Sequence, residues 1–196
     1  MKVTKSIFRE NDIRGTYPEE LNEDSIREIA FAISNKCKKE NVDTIAVGRD
    51  GRLSGASLLD AFCSGLVDSG INVNNIGLVT SPMLYFAAKK EASKSGIIIT
   101  GSHNPKNYNG IKIVIDDKTV SGSEILSLMG DSDSEREMTK GVLKFSDIKD
   151  QYINEVVENI KLPNASKLKV VLDCGNGAAG CVAPELFKKL GCEVFE

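Results

Sequence analysis

Apolar positions recur at helical spacing in some stretches of this chain and as short unbroken runs in others. Over residues 24–40, Ile26, Ile29, Ala30 and Ile33 mark one face of a helix. Asp24 stands ahead of them as a candidate N-cap, and lysines gather at the far end, where they suit the helix dipole. The run TIAVG at 44–48 predicts a buried strand and leads into a polar turn, RDGRLSG. Leu58, Leu59, Phe62 and Leu66 predict a helix over 56–69, followed by a strand over 71–77 and a proline-started helix over 82–92. GIIIT at 96–100 is a second buried strand, and GIKIVI at 110–115 a third beyond the loop GSHNPKNYN. The segment 131–140 is polar and aperiodic and reads as a mobile surface stretch, with a helix expected over 146–160 and a linker over 162–167. A strand at 169–173, a glycine loop and a further helix then open another α/β unit.

Strands alternating with helices imply a sheet covered on both faces. The loop between 96–100 and 110–115 is too short for a helical crossover, so these two strands pair as an antiparallel hairpin. The expected fold class is α/β: a three-layer α/β/α domain with a mixed, mostly parallel sheet, followed by the start of a second similar domain. The division falls at 1–155 and 156–196, the latter read as truncated. Val170, Val171, Leu172, Val182 and Phe187 of that second part are expected to lie exposed.

Composition narrows the class without deciding it. Hydrophobic residues make up 41% and charged residues 27%, as in soluble globular proteins. A net charge of −3 supplies no electrostatic drive toward nucleic acid or an anionic membrane. No apolar run approaches the ~18 residues that span a bilayer, and the opening MKVTKSIFREND lacks the apolar centre of a secretion signal. Five cysteines, an odd number without a C-x-x-C pair, read as thiols of a reducing compartment. The expectation is a cytoplasmic protein with no nucleic-acid or membrane partner.

Ligands of open α/β sheets collect at the carboxyl ends of parallel strands, and two unusual loops fall there. One is Arg49-Asp50-Gly51-Arg52, where an aspartate between two arginines suggests internal pairing and a scaffolding role. The other, Thr100-Gly101-Ser102-His103-Asn104-Pro105, brings a hydroxyl, the chain's one imidazole and backbone N–H groups into one small loop. On residue types alone this loop serves equally well as a polar turn or a reactive site.

TGSHNPKNYNGIKIV at 100–114 closely resembles the phosphoserine loop of the α-D-phosphohexomutase superfamily, and more narrowly that of its bacterial phosphomannomutase/phosphoglucomutase branch. FRENDIRG (8–15), VGRDGRLSG (47–55), TSPMLYFAA (80–88) and LDCGNGAAG (172–180) extend the resemblance along the chain in the same order. The resemblance implies an intramolecular phosphotransferase that interconverts the 1- and 6-phosphates of glucose or mannose through a hexose 1,6-bisphosphate. It implies Ser102 as the phosphoryl carrier and, through its phosphate, as a ligand of Mg²⁺. His103 then polarises the transferring group, Lys112 does acid–base work, and Arg14, Asn11 and Asn104 contact substrate. Asn11 stands where many relatives carry tyrosine, and Gly101 where other branches carry alanine. The metal loop and the sugar- and phosphate-binding loops of the family lie in later domains, so residues 1–196 alone are expected to be inactive.

Two other readings compete. Gly175-Asn176-Gly177-Ala178-Ala179-Gly180 fits the G-x-G-x-x-G fingerprint, with Glu196 at a distance suited to a ribose, so a NAD-type oxidoreductase is one alternative. Against it, Asp173 would stand close to the pyrophosphate, and a tight strand-to-helix turn explains the same glycines. The other alternative is a non-catalytic phosphate-binding module built on the Ser102 loop.

Overall fold

The two most apolar runs become neighbouring parallel strands in the middle of a sheet, where both faces are covered. The computed structural model describes residues 3–128 and 139–196. The first unit runs β1 (Ile13–Thr16), α1 (Glu23–Lys39), β2 (Thr44–Arg49), α2 (Gly55–Asp68), β3 (Asn72–Leu78), α3 (Ser81–Lys90), β4 (Gly96–Ile99) and β5 (Tyr108–Ile115). It continues with β6 (Lys118–Thr119), α4 (Ser123–Ser127), β7 (Leu143–Phe145) and α5 (Lys149–Asn159). Then follow β8 (Lys169–Val171), α6 (Ala183–Lys189) and β9 (Glu193–Phe195). The polar stretch expected to be mobile over 131–140 falls, up to residue 138, outside the described residues.

The large sheet has the order β1-β5-β4-β2-β3-β7, with β6 also pairing with β5. β2 is parallel to β3 and β4, and β3 to β7, whereas β5 is antiparallel to β4, β1 and β6. Thus β5 alone runs against the others, and the expected hairpin is the source of the mixed character. Alternation along the strands sorts side chains between the two faces. Ile45, Val47, Ile97, Ile99, Ile111 and Ile113 pack with α1 and α2. Ala46 and Ile98 point the other way, to Met83 and Leu84 of α3 and Ile153 of α5. The result is the three-layer α/β/α arrangement.

Several local expectations are corrected. The cap of α1 is Asn22, not Asp24: its side chain accepts from the Ser25 N–H at 2.9 Å, and the Ser25 hydroxyl accepts from the Asn22 N–H at 2.9 Å. Such a reciprocal box needs an acceptor three residues after the cap, which Asn22 finds in Ser25 and Asp24 would not find in Arg27. β1, β6, β7 and α4 carry too few apolar positions for the pattern to reveal them. The helix expected from 146 begins at Lys149, because residues 143–145 pair with β3 and Ser146 donates its N–H to the Asn75 carbonyl.

β8 and β9 form a separate two-stranded parallel sheet. Val171 is 80% exposed there. Val182, however, is buried, in the cluster of Ala46, Ile76 and Met83, so that part of the expected exposed face is covered by the first unit. α5 continues to Asn159, past the boundary expected at 155.

Replacing Asn22 by alanine should lower stability by about 1 kcal/mol, the usual worth of such a cap. Asp24→Ala should cost at most a few tenths of that figure, through its favourable place in the first turn. Urea unfolding of both variants checks the assignment, and a larger loss at Asp24 would contradict it.

Candidate active site around Ser102

The parallel pairing of β2 with β4 sets Arg49 opposite Ile99, so the loops that leave these two strands start side by side. The Asp50 N–H donates to the Ile99 carbonyl at 2.9 Å. Its carboxylate then reaches across: Oδ2 accepts from the Thr100 hydroxyl at 2.7 Å, the Gly101 N–H at 3.2 Å and Arg52 Nε at 3.3 Å. Oδ1 accepts from the Arg52 N–H at 3.1 Å. The expected internal pairing in this loop is therefore present between Asp50 and Arg52, while Arg49 donates to the backbone carbonyl of Asp50 instead.

Thr100 passes the connection on. It is buried, and its hydroxyl oxygen accepts from the Ser102 N–H at 2.9 Å. Ser102 itself adopts φ 54°, a left-handed conformation that costs a non-glycine residue about 1–2 kcal/mol. The bonds from Asp50 through Thr100 offset that cost and leave the Ser102 side chain exposed. Its hydroxyl lies 3.3 Å from Nδ1 of His103, which is also exposed. Asn104 closes the turn, donating its N–H and its side-chain amide to the Gly101 carbonyl at 3.0 and 3.2 Å. Gly101 lacks the side chain that would collide here: a Cβ would fall 2.2 Å from Cζ of Arg52. The guanidinium thus packs directly on the glycine and constrains a position that its residue type would otherwise leave loose.

The reversed strand β5 brings in a second group. Lys112 stands opposite Ile98, on the face away from Ile111 and Ile113, as its alternation with them predicts. β1 pairs with β5 so that Arg14 lies opposite Gly110, and Thr100 donates its N–H to the Gly110 carbonyl from the other side. Arg14 and Thr100 are therefore level with each other two strand spacings apart, about 10 Å. Arg14 is buried, contrary to a plain surface charge. Its guanidinium is paired with Asp12, and its Nε–H is buried without a partner among the described residues. Lys112 Nζ is 3.4 Å from the same Asp12 carboxylate oxygen. One anion thus faces two cations, which leaves a net positive group beside the carboxyl end of β4. Asn11 is exposed in the turn before Asp12, a turn closed by the Arg9 N–H on the Asp12 carbonyl.

Sequence reasoning left out Asp12, Thr100 and the reach of Asp50. The Asp-x-Arg spacing after a buried strand was visible, but its target was not, because the neighbour of β2 is set by strand order. No group of three histidine, cysteine or acidic side chains among the described residues is placed to hold a metal. The five cysteines are free thiols, and burial pushes Cys37 and Cys63 up to about 12, which makes both poor nucleophiles. Among the described residues no helix is long and apolar enough to cross a membrane.

The glycine loop after β8 does not form a dinucleotide cradle. The Asp173 carboxylate accepts from the Gly175 N–H at 2.9 Å, where a pyrophosphate would need that donor. A four-residue 3-10 turn, Ala178–Cys181, takes up Gly180 and separates Gly175 and Gly177 from α6.

A three-layer α/β/α domain with a reactive-looking serine loop at the carboxyl edge of its sheet defines the class. Residues 5–130 match the family described as phosphoglucomutase/phosphomannomutase, alpha/beta/alpha domain I, and the chain belongs to that family. It is 46% identical over 191 residues to a phosphomannomutase/phosphoglucomutase of Pseudomonas putida, covering 97% of this chain and 41% of that protein. It is 41% identical over 197 residues to a phosphoglucomutase of Neisseria gonorrhoeae, covering 99% and 42%. The crystal structure of a phosphoglucomutase/phosphomannomutase family protein from Burkholderia thailandensis superposes with a TM-score of 0.93 at 39% identity, over 99% of this chain and 44% of that one. The chain thus spans about two fifths of the length of the curated relatives it matches.

Thr100→Val keeps the shape of the side chain but removes the hydroxyl that links Asp50 to the Ser102 N–H. A stability loss of about 1–3 kcal/mol is expected, the scale for stranding a buried polar partner. Urea unfolding measures it, and a neutral substitution would show that the link carries no load.

Proposed function

We propose that this chain is the phosphoserine-bearing part of a phosphohexomutase that interconverts hexose 1-phosphate and hexose 6-phosphate, with glucose or mannose as the sugar. Residues 1–155 would form the phosphoserine domain and 156–196 the start of a second, with α5 connecting them. The observation that carries the reading is the exposed Ser102 hydroxyl, held in a left-handed turn by Thr100 and Asp50, in a chain of this family.

In the proposed reaction the free hydroxyl of a hexose phosphate attacks the phosphorus of phospho-Ser102. The bond from phosphorus to Ser102 Oγ breaks as the bond to the sugar oxygen forms, giving hexose 1,6-bisphosphate. The sugar hydroxyl loses its proton, and the departing serine oxygen accepts one. After reorientation the bisphosphate returns its other phosphoryl group to Ser102 by the same exchange. Such transfers have loose transition states, so positioning and charge stabilisation supply most of the rate. Lys112 is the acid–base group of this reading, and the net positive Asp12–Arg14–Lys112 group supports it. Arg14 offers its unpartnered Nε–H to phosphate, and His103, beside the hydroxyl, hydrogen-bonds the transferring group. Asn104 and Asn11 are proposed to contact substrate; Asn11 is open to it, whereas Asn104 also braces the loop.

Phosphoserine carries about −1.5 to −2 charges near neutral pH, and its oxygens are hard donors of the kind Mg²⁺ prefers. Mg²⁺ would be held here by the Ser102 phosphate alone among the described residues, and when bound would offset its charge. The proposed setting is cytoplasmic, in keeping with phosphorylated sugar substrates.

In a full-length polypeptide carrying these residues, Ser102→Ala should abolish mutase turnover while changing stability by no more than about 0.5 kcal/mol. Coupled assays on glucose 1-phosphate and mannose 1-phosphate, with a melting curve, test this. Retained turnover would refute the carrier role, and intact-mass gain of one phosphate on treatment with a hexose bisphosphate would exclude a mere phosphate-binding module.

Lys112→Met keeps the aliphatic stem and removes the charge and the proton. Turnover should fall about 10²-fold or more, the scale of a positioned acid–base group. Asp12 keeps Arg14 as its partner, so the fold should survive. Kinetics equal to wild type would reduce Lys112 to a strand lysine.

A further inference from the structure

An arginine beside a phosphoryl-transfer site invites the role of a phosphate ligand, yet Arg52 has no donor left to give. A guanidinium carries five N–H groups in a rigid planar fork. Nε–H is directed to Asp50 Oδ2 at 3.3 Å. Nη1 donates to the carbonyls of Pro105 at 2.6 Å and Tyr108 at 2.8 Å. Nη2 donates to the carbonyls of Asn104 at 2.6 Å and Ser102 at 3.1 Å. Its side chain is only 13% exposed, and its charge is matched by Asp50. Arg14 is the opposite case, with one buried N–H unpartnered.

Resting on the mutase reading above, we propose that Arg52 is a positioning residue for phosphoryl transfer at Ser102, acting through the loop backbone and not as a ligand of phosphate. Four loop carbonyls converge on one planar group, so the segment from Ser102 to Tyr108 is wrapped around the guanidinium. In a trans peptide the N–H points opposite to the C=O. Turning the Ser102 carbonyl to Arg52 therefore turns the His103 N–H away from it. That leaves the His103 N–H on the outer side of the loop, next to the serine that carries the phosphate, where a backbone donor suits an anion. Arg52 and Asp50 thus set both the left-handed turn at Ser102 and the direction of the amide that follows. A lysine cannot substitute, because a single ammonium has three donors and no plane with which to bridge four carbonyls.

The test uses the full-length enzyme, with kcat and KM for glucose 1-phosphate, a melting curve and Ser102→Ala as reference. Arg52→Lys should lower kcat about 10²-fold, the cost of a small misplacement of reacting groups, with KM close to wild type. Arg52→Ala should recover part of its kcat in guanidinium chloride below denaturing concentration, whereas Ser102→Ala should recover none. Asp50→Asn, which keeps the shape but removes the charge orienting Arg52, should repeat the kcat loss and carries the test should the Arg52 variants fold poorly. Wild-type kcat in Arg52→Lys or Asp50→Asn would overturn the inference. So would a raised KM at unchanged kcat in Arg52→Lys, which would mark a direct phosphate ligand. With Ser102→Ala inactive, those results sink this inference alone; turnover in Ser102→Ala sinks the mutase reading and this inference with it.

Discussion

The Asp50 carboxylate ties the ends of two parallel strands together, and the geometry of the serine loop follows from it. Its oxygens take donors from Thr100, Gly101 and Arg52. A carboxylate with several donors and a guanidinium partner is well compensated for its partial burial. With Asp50 in place, Thr100 is oriented to receive the Ser102 N–H, and Arg52 is oriented to gather the carbonyls that follow. The strain of the left-handed serine is then distributed over a network whose members sit on two separate elements of the chain.

A second constraint is the direction of β5. Because it alone runs against the sheet, Lys112 comes back alongside β4, and the edge strand β1 adds Arg14 while Asp12, just ahead of β1, pairs with both cations. Ile13 and Ile111 meanwhile face the α1–α2 side of the core. One hairpin therefore serves packing on one face and charge on the other. An all-parallel sheet would have carried β5 away through a helical crossover, and the cations would have arrived at a different edge.

The long elements were readable because each satisfies a single rule with many residues: a buried stripe along α1 and α2, an unbroken apolar run in β2 and β4. The short ones were not, since β1, β6 and β7 have only two to four residues, and pairing with a neighbour rather than local pattern makes them strands. Asn22 shows the same limit at a helix end, where the partner three residues on decides the cap. At the site, Ser102, His103 and Lys112 drew attention through residue type and motif. Asp12 and Thr100 did not, because an aspartate and a threonine gain meaning only from what lies across the sheet.

Local chemistry written into the sequence by itself determined the α/β class, the hairpin at 96–115 and the loop that carries the serine, since periodicity, loop length and motif are properties of neighbouring residues. Tertiary structure alone decided that Arg14 is buried, that Val182 packs against the first unit, and that the donors of Arg52 are all consumed. These depend on strand order, which brings together residues separated by some 50 to 100 positions, as in the bonds of Arg52 to the serine loop and of Lys112 to Asp12. No local pattern encodes such a separation; the shared edge and faces of one sheet do.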